Sequence, residues 1–465
     1  MRFYYKKKMD LEGLAKRMLK SGKSDEEIIQ RLISEYFIYK NLNPEILRGM
    51  AAAILEESKR SSVCESAVAN HPILADILLT KGSDVSMGEF GVGCRGYGDF
   101  FVHKLIASLS KTAVKPILAP ESLDDCGAVK LSDEQSERII VSKMEGMHSR
   151  LSDFPFLAAF HVTRAALRDL LVKGAIPISI MVDIHLGDDA DIAKLFDFTA
   201  GVSTVAEIAE VPITAGSTLR IGGDMVIGDR ITGGIAAIGI AKKLFLRRDI
   251  KKDDCILMTE GAGGGTISTS AIYSGSFETA LETININFLK IAKEILHLDD
   301  HILNDIHCMS DVTNGGLRGD LREISEESKL GAHVIENKIR GLVNPNVLKL
   351  LNEKNIDYLG VSLDALLIFC DPKVKEEIMQ VGNRLNIKIN EIGKVTDDET
   401  ITITTEQGKS EFIPHFRESA YTKIKQIIGE QTPDDIQRME QKIAESYHHS
   451  LEKKEKLVEF LKNRQ

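Results

Sequence analysis

Positive charge is in short supply: 59 Lys and Arg stand against 69 Asp and Glu, a formal net charge of −10 over 465 residues. A general nucleic-acid binder presents a net basic face to the phosphate backbone, so nucleic acid is not an expected partner. An anionic ligand would have to be held by metal and local N–H groups. Long apolar runs are missing as well. Nothing approaches the roughly 20 residues of a membrane helix, and the stretch from Met1 to Lys8 lacks the apolar core of a secretory signal. A cytoplasmic location, with no membrane contact, is the expectation. The six cysteines (Cys64, Cys94, Cys126, Cys255, Cys308 and Cys370) include no C-x-x-C pair, which argues against a disulfide framework and a structural zinc site. They read mostly as buried, reduced thiols. Low-complexity tracts and solenoid periods are absent too.

What remains is a chain long enough for two or three domains, with an ordinary 43% hydrophobic share. Helical spacing recurs over residues 9 to about 82, as in Leu11, Leu14 and Met18, with Ser24 and Asn43-Pro44 as helix starts. This predicts a helical N-terminal domain over 1–85, serving either packing or dimerisation, or else a separate partner. From Ser86 to Ile250, β-like runs (Ile139 to Val141, Ile178 to Val182, Gly233 to Gly239) alternate with amphipathic helices, Phe156 to Lys173 and Ala190 to Val211. The basic stretch Lys242 to Lys252 marks a boundary. Cys255 to Thr259 then reads as a strand entering the glycine-rich turn Glu260 to Gly265, and the alternation resumes. Two α/β halves follow, over 86–245 and 246–415, with a charged helical tail over 416–465 that starts at Thr432 to Asp435.

Five segments carry the chemistry. Asp311-Val312-Thr313-Asn314-Gly315-Gly316, followed by the periodic Leu317, Leu321 and Ile324, puts a carboxylate and backbone N–H groups at a helix start. Such a corner suits Mg²⁺ and phosphate, or is simply an N-capping turn. Gly91 to Asp99 holds four glycines before a helical pattern, where N–H groups could approach phosphate without obstruction. The others are Asp124-Asp125-Cys126-Gly127-Ala128-Val129, Lys143-Met144-Glu145-Gly146-Met147-His148, and Arg168-Asp169 running to Gly174-Ala175-Ile176-Pro177. Each alone is weak. Together they suggest a shared site.

The order of these motifs, with an Ala215-Gly216-Ser217-Thr218 turn between the fourth and the Asp311 motif, resembles a superfamily of ATP-using enzymes. It includes aminoimidazole ribonucleotide (AIR) synthetase, formylglycinamidine ribonucleotide synthetase, thiamine monophosphate kinase, selenophosphate synthetase and a hydrogenase maturation factor. The resemblance runs from about Gly91 to about Ile413. It implies an α/β (α+β) fold of the PurM-like type, with a two-domain core of mixed sheets, and a homodimer formed through the N-terminal α/β halves. ATP and Mg²⁺ would be the cofactors, and a small molecule the substrate.

By that resemblance Asp124, Asp125, Glu145, Asp169 and Asp311 are assigned to metal and phosphate. Gly91, Gly93, Arg95, Gly96, Gly98, Gly216, Thr218, Thr313 and Gly315 are assigned to the nucleotide. Lys143 and Arg168 could stabilise developing charge, with a structural salt bridge as the alternative for both; for Asp169 the alternative is an ion pair with a neighbouring cation. His148 is a candidate acid or substrate contact, one residue out of register with the synthetase motif. Departures bound the reaction. Val92 and Arg95 stand where selenophosphate synthetase carries a reactive cysteine and lysine, Val141 replaces a kinase aspartate, Ser217 replaces a further acid, and the end Phe460 to Gln465 has no terminal cysteine. The expected function is an ATP- and Mg²⁺-dependent enzyme, a phosphotransferase or a ligase, that phosphorylates or activates an oxygen of its substrate. The alternative is a catalytically degenerate nucleotide-binding regulatory or scaffold protein.

Overall fold

A computed structural model describes residues 10–61, 73, 77–78, 80–92, 96–122, 124–131, 138–187, 189–221, 228–313, 315–418, 421–423, 426 and 432–463. Three helices come first: α1 (Leu11–Lys20), α2 (Asp25–Tyr39) and α3 (Pro44–Ser61). Ser24 forms a capping box with Glu27, and Asn43 Oδ1 accepts from the Glu45 amide at 2.8 Å, so the predicted starts follow ordinary end-capping chemistry. Leu11, Ile28, Leu32, Leu47 and Ile54 close a small core of their own.

The body has two mixed sheets. Strands β1 (Gly127–Lys130), β2 (Ile139–Gly146), β3 (Ala175–Gly187), β4 (Ile213–Ile221) and β5 (Ile231–Ala241) form the first, in the order β1-β2-β5-β3-β4. Only β3 and β4 run parallel there. The second has seven strands in the order β12-β11-β8-β10-β6-β9-β7: β6 (Cys255–Thr259), β7 (Ile306–Val312), β8 (Gly331–Ile335), β9 (Ala365–Cys370), β10 (Ile389–Thr396), β11 (Ile401–Thr405) and β12 (Gly408–Glu411).

The helix Pro155–Val172 lies between the sheets and buries 15 of its 18 residues. The sequence suggested an amphipathic helix here. The difference has a physical cause: layers on both sides leave no solvated face, and its charged residues are matched inside the protein. The pleat of the second sheet shows the same layering. Cys255 and Leu257 of β6, with Leu366, Ile368 and Cys370 of β9, join the core shared with the first half. Their alternates Ile256, Met258, Leu367 and Phe369 face a second core. Arg247, in the basic stretch that looked like a boundary, is 1% exposed. Ala215 to Thr218, expected as a turn, lies within β4, where Val182 pairs with Gly216 and Ile184 with Thr218. Among the described residues no helix is long and apolar enough to cross a membrane.

Candidate functional site

The pleat of β2 turns Val141, Lys143 and Glu145 towards the inter-sheet helix and Met144 away from it. On the helix, Arg164 and Arg168 lie one turn apart and share a face, so both point at the second half. Asp311 is the penultimate residue of β7, and Asp364, in the left-handed conformation with φ 53°, leads into β9. Four elements from both halves of the chain thereby converge on one buried network of charges.

Arg168 is its hub. Its guanidinium meets Asp169 Oδ1 at 2.9 Å, Asp311 Oδ2 at 2.6 Å and Asp364 Oδ1 at 2.7 Å, joining the two halves. Arg164 holds the other Asp364 oxygen at 2.5 Å. Lys143 Nζ lies 2.6 Å from Asp169 Oδ2 and 3.2 Å from Glu145 Oε2, and Glu145, with its side chain 34% exposed, is where the network opens to solvent. Burial opposes charge on each group, yet Lys143 and Arg168 hold the Asp169 carboxyl below its usual range. Asp311 goes the other way. Burial pushes it well up, Arg168 only partly offsets this, and Oδ1 has no hydrogen-bond partner among the described residues.

A second knot adjoins the first. Lys173, at the end of the inter-sheet helix, reaches Asp124 Oδ1 at 2.5 Å and Asp125 Oδ2 at 3.1 Å. Arg247 holds Asp125 Oδ1 at 2.8 Å and Glu323 Oε2 at 2.6 Å. Burial raises the Asp125 carboxyl, but Arg247 and Lys173 more than reverse it and leave it depressed.

The structure thus gathers Asp124, Asp125, Glu145, Asp169, Asp311, Lys143 and Arg168. It also adds Arg164, Lys173, Arg247, Glu323 and Asp364, which sequence reasoning did not assign. Lone charges inside apolar runs, as in Val162-Thr163-Arg164-Ala165-Ala166 and Leu171-Val172-Lys173-Gly174-Ala175, were the available signal. Arg247 carried none, since Lys242, Lys243 and Arg248 surround it.

His148 sits apart from the acids, with Nε2 2.5 Å from the Tyr421 hydroxyl and Nδ1 3.2 Å from Thr269 Oγ1. A polar cleft of about 690 Å³, lined in part by Tyr421, Ser270 and His415, lies alongside. Gly91, at φ 72°, ends the single turn Met87–Phe90 and packs on Arg417. A Cβ on Gly96 would strike the His415 and Phe416 carbonyls, and one on Gly98 the Phe90 carbonyl. These two glycines therefore permit close backbone approach within the protein. Gly93 and Arg95 lie outside the described residues. Gly216 and Thr218 are on β4, the sheet edge opposite β1, while Asp124 and Asp125 precede β1. The Thr313 amide donates to Asp320 Oδ2 at 2.9 Å, and Gly315, at φ 105°, precedes the helix Gly316–Ser328.

The donors do not fit a Mg²⁺ cage as they stand. Lys173, Arg247, Lys143 and Arg168 already engage the acids, and among the described residues no cluster of three or more His, Cys, Asp or Glu is disposed to hold a metal ion. The lone Oδ1 of Asp311 is not sufficient by itself.

Comparison with known proteins agrees with this fold. A protein of Methanocaldococcus jannaschii described as uncharacterized is 42% identical over 460 residues, covering 98% of this chain and 99% of its own. The phosphoribosylformylglycinamidine synthase subunit PurL of Saccharolobus solfataricus is 23% identical over 64% of this chain, which spans 41% of that protein. Among solved structures, the hydrogenase maturation protein HypE in complex with ATP superposes with a TM-score of 0.51 at 19% identity, over 70% of this chain and 96% of HypE. The family model "AIR synthase related protein, N-terminal domain" matches residues 123–241, and its C-terminal counterpart matches 251–406. With both halves of the family matched in order over more than half its length, the chain belongs to the AIR synthase-related family.

Proposed function

We propose that the chain binds ATP and uses it to phosphorylate an oxygen of a small substrate, either as the end product or to activate that oxygen for attack by a nitrogen nucleophile. The observation that carries this reading is the charged junction in which Arg168 ties Asp169 to Asp311 and Asp364 while Glu145, paired with Lys143, opens to solvent. Phosphoryl transfer is largely a matter of holding charge in line, and preset cations in a low-dielectric setting do this with little reorganisation. Lys143 is the cation nearest the opening and would face the transferred group. Arg168 would fix the distance between the halves. His148, oriented by Tyr421 and Thr269, would contact the substrate.

HypE in complex with ATP and the synthase subunit PurL support this choice within the family. Pairing of two copies through the first sheet is part of the proposal. Met144, Ile176 and Leu219 share its outer face and are 60%, 37% and 57% exposed. The placement is cytoplasmic.

A second reading, a nucleotide-binding scaffold without turnover, draws on the self-neutralised acids and on the backbone packed against Gly96 and Gly98. The deciding experiment is a screen for ADP release with small hydroxyl, carbonyl and amide compounds. Release that a compound stimulates and Lys143→Met abolishes supports the enzyme. ATP binding with no stimulated release across the panel supports the scaffold.

A further inference from the structure

Lys173 is the most deeply placed cation of the network. It is 0% exposed, and its ammonium sits among four oxygens: Asp124 Oδ1 at 2.5 Å, Asp125 Oδ2 and Met309 O both at 3.1 Å, and Phe245 O at 3.3 Å. Two carboxylates and two backbone carbonyls are the hard-oxygen set that Mg²⁺, Mn²⁺ or Ca²⁺ selects. Here the three N–H donors of one side chain fill it. Arg247 takes the remaining Asp125 oxygen at 2.8 Å, and its NH₂ group lies 3.5 Å from the Ser310 hydroxyl. Lys173 caps the end of the helix, Phe245 lies in the link between the halves and Met309 in β7, so the ammonium also joins three parts of the fold.

We propose that Lys173 is a tethered cation occupying the place a divalent ion would take between Asp124 and Asp125, so that the folded chain binds no metal at this pair. An ion inserted beside the ammonium would meet like charge at close range in a buried site, where Coulomb repulsion is little screened. The lysine could not swing away cheaply, because its whole stem is packed. The consequence is a junction whose integrity is indifferent to chelators, unlike one held by an exchangeable ion. Removing the ammonium while keeping both carboxylates should expose a latent metal site. Lys173→Ala leaves an oxygen-lined cavity short of positive charge.

The test uses the full-length protein without nucleotide, so its failure leaves the ATP reading untouched. Mn²⁺ is the probe: uptake is read from loss of the free-ion electron paramagnetic resonance signal, and stability from thermal unfolding in EDTA or in Mn²⁺. The wild type and Asp125→Asn should take up equal Mn²⁺, and the Tm of the wild type should not respond to it. Lys173→Ala should gain an equivalent of bound Mn²⁺, with a Tm that is lower in EDTA and rises with the ion. Folded Lys173→Ala that gains neither would overturn the proposal. If that variant does not fold, the comparison of wild type with Asp125→Asn still decides. An equivalent of Mn²⁺ bound by the former and absent from the latter would show that a metal shares the pair.

Discussion

Replacing Arg168 by methionine removes a guanidinium that touches three buried carboxylates, but the three do not lose equally. Asp364 keeps Arg164 at 2.5 Å, and Asp169 keeps Lys143 at 2.6 Å. Asp311 has only Arg168 as an ion-pair partner among the described residues, and its other oxygen is already orphaned. One uncompensated carboxylate therefore sets the cost. Breaking a buried pair from one side costs about 3–5 kcal/mol. The Asp311 carboxyl, already pushed up by burial, can relieve part of this by taking a proton, which places the expected loss near the lower end, about 3 kcal/mol. In urea unfolding followed by far-ultraviolet circular dichroism, this is a fall in midpoint of about 1 M. Adding Asp311→Asn to Arg168→Met should recover about 1–2 kcal/mol, since the stranded charge is gone. A loss under about 1 kcal/mol for the single variant, or no recovery in the double, would refute the idea that Arg168 holds the halves together through charge.

Three further expectations follow from the geometry. His161, buried with Nε2 2.7 Å from Ser268 Oγ, is held well below its usual pKa by burial and then by Arg164 and His148. The unfolded chain binds a proton there that the folded one does not, so stability should fall as pH drops below about 6.5, by about 1.4 kcal/mol per unit. Urea midpoints at pH 7.5 and 5.5 check this, and His161→Gln should flatten that slope. Cys126, Cys255, Cys308 and Cys370 are buried, and burial pushes each thiol up, Cys308 to about 12. In native protein they should stay silent towards a thiol reagent at pH 8 and react only on denaturation; fast labelling of Cys308 found by mass spectrometry would count against this core. Gly316, at φ 65°, faces the Leu359 carbonyl, so Gly316→Ala should cost about 2–4 kcal/mol in the same urea assay.

Motif order carried much of the fold in the sequence. The strand Cys255–Thr259 and the helix under Leu317, Leu321 and Ile324 stand where periodicity put them, because each has one face, or both, against a core. In the candidate site the motifs marked Asp124, Asp125, Glu145, Asp169 and Asp311 with Lys143 and Arg168, but not Arg164, Lys173, Arg247, Glu323 or Asp364. Asp124-Asp125, just before β1, and Asp311, near the end of β7, lie beside glycines that a motif records, whereas Lys173 and Arg247 act through distances that exist only after folding. Gly216 and Thr218 illustrate the reverse case. Small residues that read as a turn are strand residues, because pairing with β3 outweighs local preference.

The central claim is that this junction belongs to a nucleotide site. Calorimetric titration of ATP into the full chain, with and without Mg²⁺ and beside Lys143→Met, tests it most directly. The account predicts binding by the wild type that weakens at least tenfold, a loss of about 1.4 kcal/mol, when the Lys143 cation is removed. No heat of binding in folded wild-type protein, or equal affinity in the variant, would contradict it.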